Sequence, residues 1–170
     1  MIQDNLASYI KRPKLTEKQV ECFGIAEQKQ IEQAVFADKI RYMLGVIVCL
    51  YTGLRIGELL ALAWNDVDLL KNMLSVTKTC YDGRDSNGDF GRIIDEPKTP
   101  SSRRIIPLSK RMASLLKEIK KQSGAECVIS KNGKPISVRT YQRNFATLLD
   151  DLHIAHGGFT RFAIHLLRVR

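Results

Sequence analysis

Arg55 stands in Thr52-Gly53-Leu54-Arg55-Ile56-Gly57-Glu58-Leu59-Leu60-Ala61-Leu62, a cation set into an otherwise apolar segment. A guanidinium in such a place needs an anionic partner. The chain around it reads as the end of one helix at Gly53 and the start of the next, with Ile56, Leu59, Leu60 and Ala63 along one face. Arg55 then sits at a helix start, where an external anion is favoured. Glu58, three residues on and on the same side, offers the competing reading of an internal ion pair. A second basic cluster tips the balance toward the external anion: Glu96-Pro97-Lys98-Thr99-Pro100-Ser101-Ser102-Arg103-Arg104-Ile105-Ile106-Pro107-Leu108. It reads as two short strands joined by a Pro/Ser turn, with Lys98 near the turn and Ile105, Ile106 and Leu108 anchoring the second strand.

The two segments, taken together and in this order, resemble the catalytic domain of the tyrosine recombinases, the phage and transposon integrase family. The resemblance implies attack by a tyrosine hydroxyl on a DNA phosphodiester, leaving a 3′-phosphotyrosine bond and a free 5′-hydroxyl. It implies that Arg55 stabilises the charge gathering on the pentacovalent phosphorus. Lys98 is suited to protonate the departing 5′ oxygen, because a lysine amine can shift its pKa where arginine cannot. A plain phosphate contact is the simpler role for Lys98. Glu58 orients Arg55 rather than reacting. No metal or other cofactor is implied, since basic side chains do here what Mg²⁺ does in other phosphoryl transfers. The implied partners are double-stranded DNA and sister protomers of a synapsed tetramer that exchange a C-terminal segment.

The family pattern also asks for His-x-x-Arg, a further His, and a nucleophilic tyrosine beyond it. His165-Leu166-Leu167-Arg168 supplies the first pair, but Val169 stands where the second His is usual. None of Tyr9, Tyr42, Tyr51, Tyr81 and Tyr141 follows that motif, so the chain is expected to lack its nucleophile and to be unable to cleave in cis. Thr160 is followed by Arg161-Phe162-Ala163-Ile164 rather than running straight into the motif. Read one frame over, with permitted codons, Phe159 to Arg170 can encode His-Ala-Ile-Arg-His-Ser-Phe-Ala-Ser-Arg-Thr. Two accounts of the ending therefore stand: a frameshift near Gly158 that makes His165 and Arg168 an echo, or a partial chain in which they are genuine. The functional alternatives are a DNA-binding catalytic-domain fragment and a non-enzymatic DNA-binding remnant of a decayed mobile element.

These residues need elements to hold them. The length of 170 residues suits one domain, read as a basic linker over 1–14 and a partial catalytic domain over 15–170, and 44% hydrophobic content suffices for a core. A net charge of +9 suits a polyanion partner. Cys22, Cys49, Cys80 and Cys127 form no C-x-x-C pair and read as reduced thiols of a cytoplasmic protein. No signal peptide is evident, and the longest apolar run, near Met43 to Leu54, is too short to span a bilayer. Thr16 and Gln19 suggest a capping box opening a helix to about Lys29, and a core helix is expected over 35–51. The Arg55 helix should end near Trp64, a core residue.

Further on, a strand is expected from Met73 to Tyr81, then a hairpin loop over 82–89 that returns through Ile93 and Ile94. The aspartates of that loop do not have the spacing of a calcium-binding EF-hand. Ser109 and Ser137 are placed to cap two later helices, with a short strand from Cys127 to Ser130 and an Asn132-Gly133 turn between them. Arg139 and Arg143 on the last of these helices, with Arg103 upstream, are candidate phosphate contacts or solvated charges. The expected fold is α+β, mainly helical, with a small antiparallel sheet.

Overall fold

Helix α2 (Leu44–Thr52) is apolar on every side, and a helix of that kind is stable only when surrounded. In the computed structural model, which describes residues 22–37, 41–96 and 103–155, the other elements supply that surround. Helix α1 (Ile25–Ala37) contributes Ile31 and Val35 to the core, α4 (Lys110–Gln122) contributes Met112, Leu116 and Ile119, and α5 (Val138–Asp151) contributes Tyr141, Phe145 and Leu149. Gly45 permits the closest of these approaches, since a Cβ there would lie 2.6 Å from the Tyr141 hydroxyl. The outer faces of α4 and α5 carry the lysines and arginines, so both helices are amphipathic for a plain reason of position.

Capping follows the sequence closely. Ser109 Oγ accepts from the Met112 N–H at the head of α4, and Ser137 Oγ accepts from the Thr140 N–H at the head of α5. Helix α2 stops at Gly53, whose φ of 68° is a left-handed conformation that glycine takes without a Cβ penalty. Asn132 and Gly133, with φ of 52° and 75°, form the tight turn between β6 (Ser130–Lys131) and β7 (Lys134–Pro135).

The strands divide differently from the expectation. Met73 to Tyr81 is not one strand: β2 (Met73–Val76) ends before Thr77 and β3 (Thr79–Arg84) belongs to another sheet. β2 lies between β1 (Val67–Asp68) and β5 (Arg104–Pro107) in an antiparallel sheet of order β1-β2-β5. β3 pairs with β4 (Phe90–Asp95) as an antiparallel hairpin. The two strands flanking Lys98 are therefore not partners of each other, because each finds its ladder elsewhere. The small sheets number three among the described residues, and the fold is α+β, mainly helical.

The helices also shift in their bounds. α1 runs to Ala37 rather than ending near Lys29, and α2 begins only at Leu44, after a 3₁₀ turn over Arg41–Met43. Helix α3 (Ile56–Ala61) is shorter than expected, and Trp64 falls in a 3₁₀ turn, half-buried at the core's edge under the Lys120 ammonium. Cys127 makes a single bridge to Ala63 in place of a strand. Lys98, His165, Arg168 and the 1–14 linker lie outside the described residues.

Candidate nucleic-acid interface

Arg55 is where the sequence places it, in extended conformation as the residue that caps α3. Its surroundings differ from the expectation of a guanidinium set among apolar residues. The side chain is 71% exposed, whereas Glu58 is only 5% exposed. The Glu58 carboxylate reaches back to accept from the Arg55 backbone N–H at 2.8 Å, so that amide has its partner within the protein. Because α3 is only six residues long and its capping amide is already taken, the guanidinium is the group left to meet an anion.

The chief partner of Glu58 is Arg104, which sequence reasoning passed over in favour of its neighbour. Arg104 Nη1 and Nη2 donate to Glu58 Oε1 and Oε2, each at 2.8 Å, in a fork-on-fork pair. Arg55 Nη1 lies at 3.4 Å from Oε1, a much looser contact. Burial alone would raise the Glu58 carboxyl, but the Arg104 hydrogen bonds, the Arg55 N–H and both positive charges hold it below the ordinary carboxylate value. Arg104 shifts upward, since its hydrogen bonds to Glu58 outweigh its own burial. Cys49, buried nearby, is pushed up first by burial and then by the Glu58 charge, which leaves it an inert thiol.

Strand alternation carried the missed signal. Arg104, Ile106 and Leu108 fall on one side at a spacing of two, with Leu108 buried, while Ile105 points out and is 67% exposed. Arg104 therefore turns inward, and an inward arginine requires a carboxylate. Arg103 turns outward and pairs with exposed Glu96, away from the Glu58 cluster.

Arg139 and Arg143 are brought together, but at a different place. Both are exposed on α5 and line a groove of about 570 Å³ with Arg92, Phe90 and Asp82. Asp82 holds the first turn of α5, accepting from the N–H groups of Val138 at 3.1 Å and Arg139 at 2.8 Å. Arg92, a second residue that sequence reasoning missed, donates from Nη2 to the carbonyl of Leu60 in α3. The short helix that begins at Arg55 is thus tied at its far end to the β3–β4 hairpin. No periodicity marks Arg92 in advance, because its partner is a backbone oxygen distant in sequence.

Three of the tyrosines are committed to the fold. Tyr141 is fully buried and donates to the Tyr42 carbonyl at 3.0 Å, Tyr42 Oη accepts from Asn144 Nδ2 at 3.3 Å, and Tyr51 donates to Glu32 at 2.6 Å. Tyr81 lies on β3, and Tyr9 is outside the described residues. Among the described residues no group of three or more His, Cys, Asp or Glu is placed to hold a metal ion.

The described residues thus form an inward-braced carboxylate beside an exposed arginine at a helix start, on an α+β scaffold of helices and small antiparallel sheets. The particular family follows from comparison: the sequence profile of the Phage integrase family matches residues 14–170, and the chain belongs to that family as a tyrosine-recombinase catalytic domain. The ICEBs1 integrase of Bacillus subtilis (strain 168) is 30% identical over 120 residues, covering 71% of this chain and 31% of that protein. The chain spans a third or less of the length of the curated relatives it matches. Among solved structures, the Tn1549 transposon integrase in complex with transposon right end DNA superposes with a TM-score of 0.70 at 24% identity, over 95% of this chain and 55% of that one. A lambda integrase tetramer bound to a Holliday junction superposes with a TM-score of 0.59 at 20% identity, over 90% of this chain and 43% of that one. At these identities the structures establish a common fold.

Proposed function

We propose that this chain is the DNA-binding part of a site-specific recombinase that holds most of a phosphate pocket and does not cleave in cis. The observation that carries the reading is Arg55: its guanidinium is exposed at the start of α3, in the Thr-Gly-Leu-Arg segment, and among the described residues its ion pair is a loose 3.4 Å contact to Glu58. A guanidinium so placed can donate two parallel hydrogen bonds to non-bridging phosphate oxygens, and these strengthen as negative charge gathers in the transition state. Lys98 is assigned the protonation of the leaving 5′ oxygen, and His165 and Arg168 the remaining contacts to the phosphate. Arg139 and Arg143 are assigned to the DNA backbone outside the reacting phosphate, in company with Arg92 and the exposed Phe90. The internal hydrogen bonds of Tyr141 and Tyr51 support the reading that these two are not the nucleophile. Double-stranded DNA and sister protomers are the partners, by analogy with the DNA-bound transposon integrase and the lambda integrase tetramer.

The test compares wild type and Arg55→Ala on an intact duplex, a nicked duplex and a duplex carrying a phosphotyrosine mimic. The reading predicts that wild type prefers the nicked and phosphotyrosine-like substrates and that Arg55→Ala loses this preference. Equal binding of all three by both proteins, falling away with salt, would instead favour a remnant that holds DNA by charge alone.

A further inference from the structure

We infer that Arg104 is a positioning residue for Arg55, holding the Glu58 carboxylate so that the Arg55 guanidinium stays free for phosphate. The inference rests on the reading of Arg55 given above and extends it to a residue that never meets the DNA.

Glu58 is almost wholly buried, and a buried carboxylate must be neutralised and hydrogen-bonded. Oε1 takes Arg104 Nη1 at 2.8 Å and Arg55 Nη1 at 3.4 Å, while Oε2 takes Arg104 Nη2 and the Arg55 backbone N–H, each at 2.8 Å. Arg104 thus supplies both short side-chain bonds and one full positive charge. Two guanidinium groups and one carboxylate leave a net charge of one, and the exposure pattern says where it resides: Arg104 is 33% exposed and Arg55 is 71% exposed. Among the described residues, removing Arg104 leaves the buried carboxylate one cation, Arg55, within salt-bridge distance. Arg55 would then close the 3.4 Å gap, turn its fork onto Glu58, and cease to present it outward.

The backbone reinforces the division of labour. Arg104 lies on β5, opposite Val76 of β2 in the antiparallel register, so its fork comes from a sheet. Arg55 lies just before α3, where the preceding left-handed Gly53 sets the direction of the chain. Glu58 joins the two elements through one side chain. Lysine at position 104 would keep the charge balance but match only one of the two oxygens, so it should hold the carboxylate less firmly.

The test measures binding of a fluorescein-labelled DNA duplex by anisotropy, over a series of salt concentrations, with thermal unfolding of every variant recorded beside it. Arg104→Gln should weaken binding to nearly the extent of Arg55→Ala, about threefold or more, and lower the salt slope by about one. Arg104→Lys should bind between wild type and Arg104→Gln, because one Glu58 oxygen is left to draw in Arg55. Arg104→Gln/Glu58→Gln should regain the lost affinity, because no buried carboxylate remains to capture Arg55. Arg104→Gln/Glu118→Gln has the same net charge as that rescued protein, but Glu118 is exposed on α4, so it should stay weak.

The inference is overturned if Arg104→Gln binds like wild type while Arg55→Ala does not, if both double variants recover equally, or if neither recovers. Should Arg104→Gln fail to fold, Arg104→Lys decides the matter: binding weaker than wild type that is restored in Arg104→Lys/Glu58→Gln supports the inference, and binding like wild type overturns it. An Arg55→Ala protein that binds as well as wild type overturns the underlying reading of Arg55 instead.

Discussion

Glu58 is the residue on which the geometry of the site turns. Its carboxyl is held below the ordinary value of 4.5, so between the two values the unfolded chain binds more protons than the native one, and stability rises with pH in that interval. The contribution is fully present above the ordinary carboxylate range and is lost as pH falls through the lowered native value. Urea unfolding of wild type and Glu58→Gln between pH 7 and pH 3 should therefore give a steeper acid loss in wild type, and parallel curves would contradict this. Glu58→Ala should cost about 3 kcal/mol at neutral pH, the lower end for a broken buried pair because Arg104 keeps some water. Arg55 and Glu58 were legible in the sequence as a pair. What was not legible is that Arg104 outbids Arg55 for the carboxylate, since that pairing joins residues 46 positions apart.

At the scale of elements, α3 is held by contacts that leave no slack. A Cβ on Gly57 would lie 2.6 Å from the Cys80 carbonyl oxygen and 2.7 Å from Thr79 Oγ1, so α3 and β3 touch backbone to backbone. Gly57→Ala should destabilise the protein by about 2 kcal/mol and should not be relieved by Thr79→Ala, because the carbonyl remains. Thermal unfolding of the single and double variants checks this. Asp82→Ala should cost about 1 kcal/mol through loss of its two hydrogen bonds from the first-turn amides of α5, read by the same measurement. The caps at Ser109 and Ser137, the end at Gly53 and the Asn132-Gly133 turn were all readable, because each depends on a few adjacent residues. The partition of the strands was not. Val76 and Thr79 belong to different sheets only because β5 and β4 arrive from far along the chain to claim them.

For the whole molecule, the proposed function makes charge and its placement the determinants of DNA binding. The formal net charge of +9 gives a general attraction that carries no specificity, while the groove of Arg92, Arg139 and Arg143 concentrates it. Arg139→Gln/Arg143→Gln should lower the salt slope of duplex binding by about two, with little change in thermal stability because both side chains are exposed. No helix among the described residues is long and apolar enough to cross a membrane. Under the proposed function, phosphate is met by the Arg55 guanidinium while Arg104 stays on Glu58. The most direct measurement is the side-chain Nε–H resonances of ¹⁵N-labelled protein during titration with a DNA duplex, assigned by single substitution. The account predicts that the Arg55 signal moves with DNA while the Arg104 signal stays at its ion-paired position. An Arg55 signal that does not respond while those of Arg139 and Arg143 do would contradict it and would assign DNA binding to the groove alone.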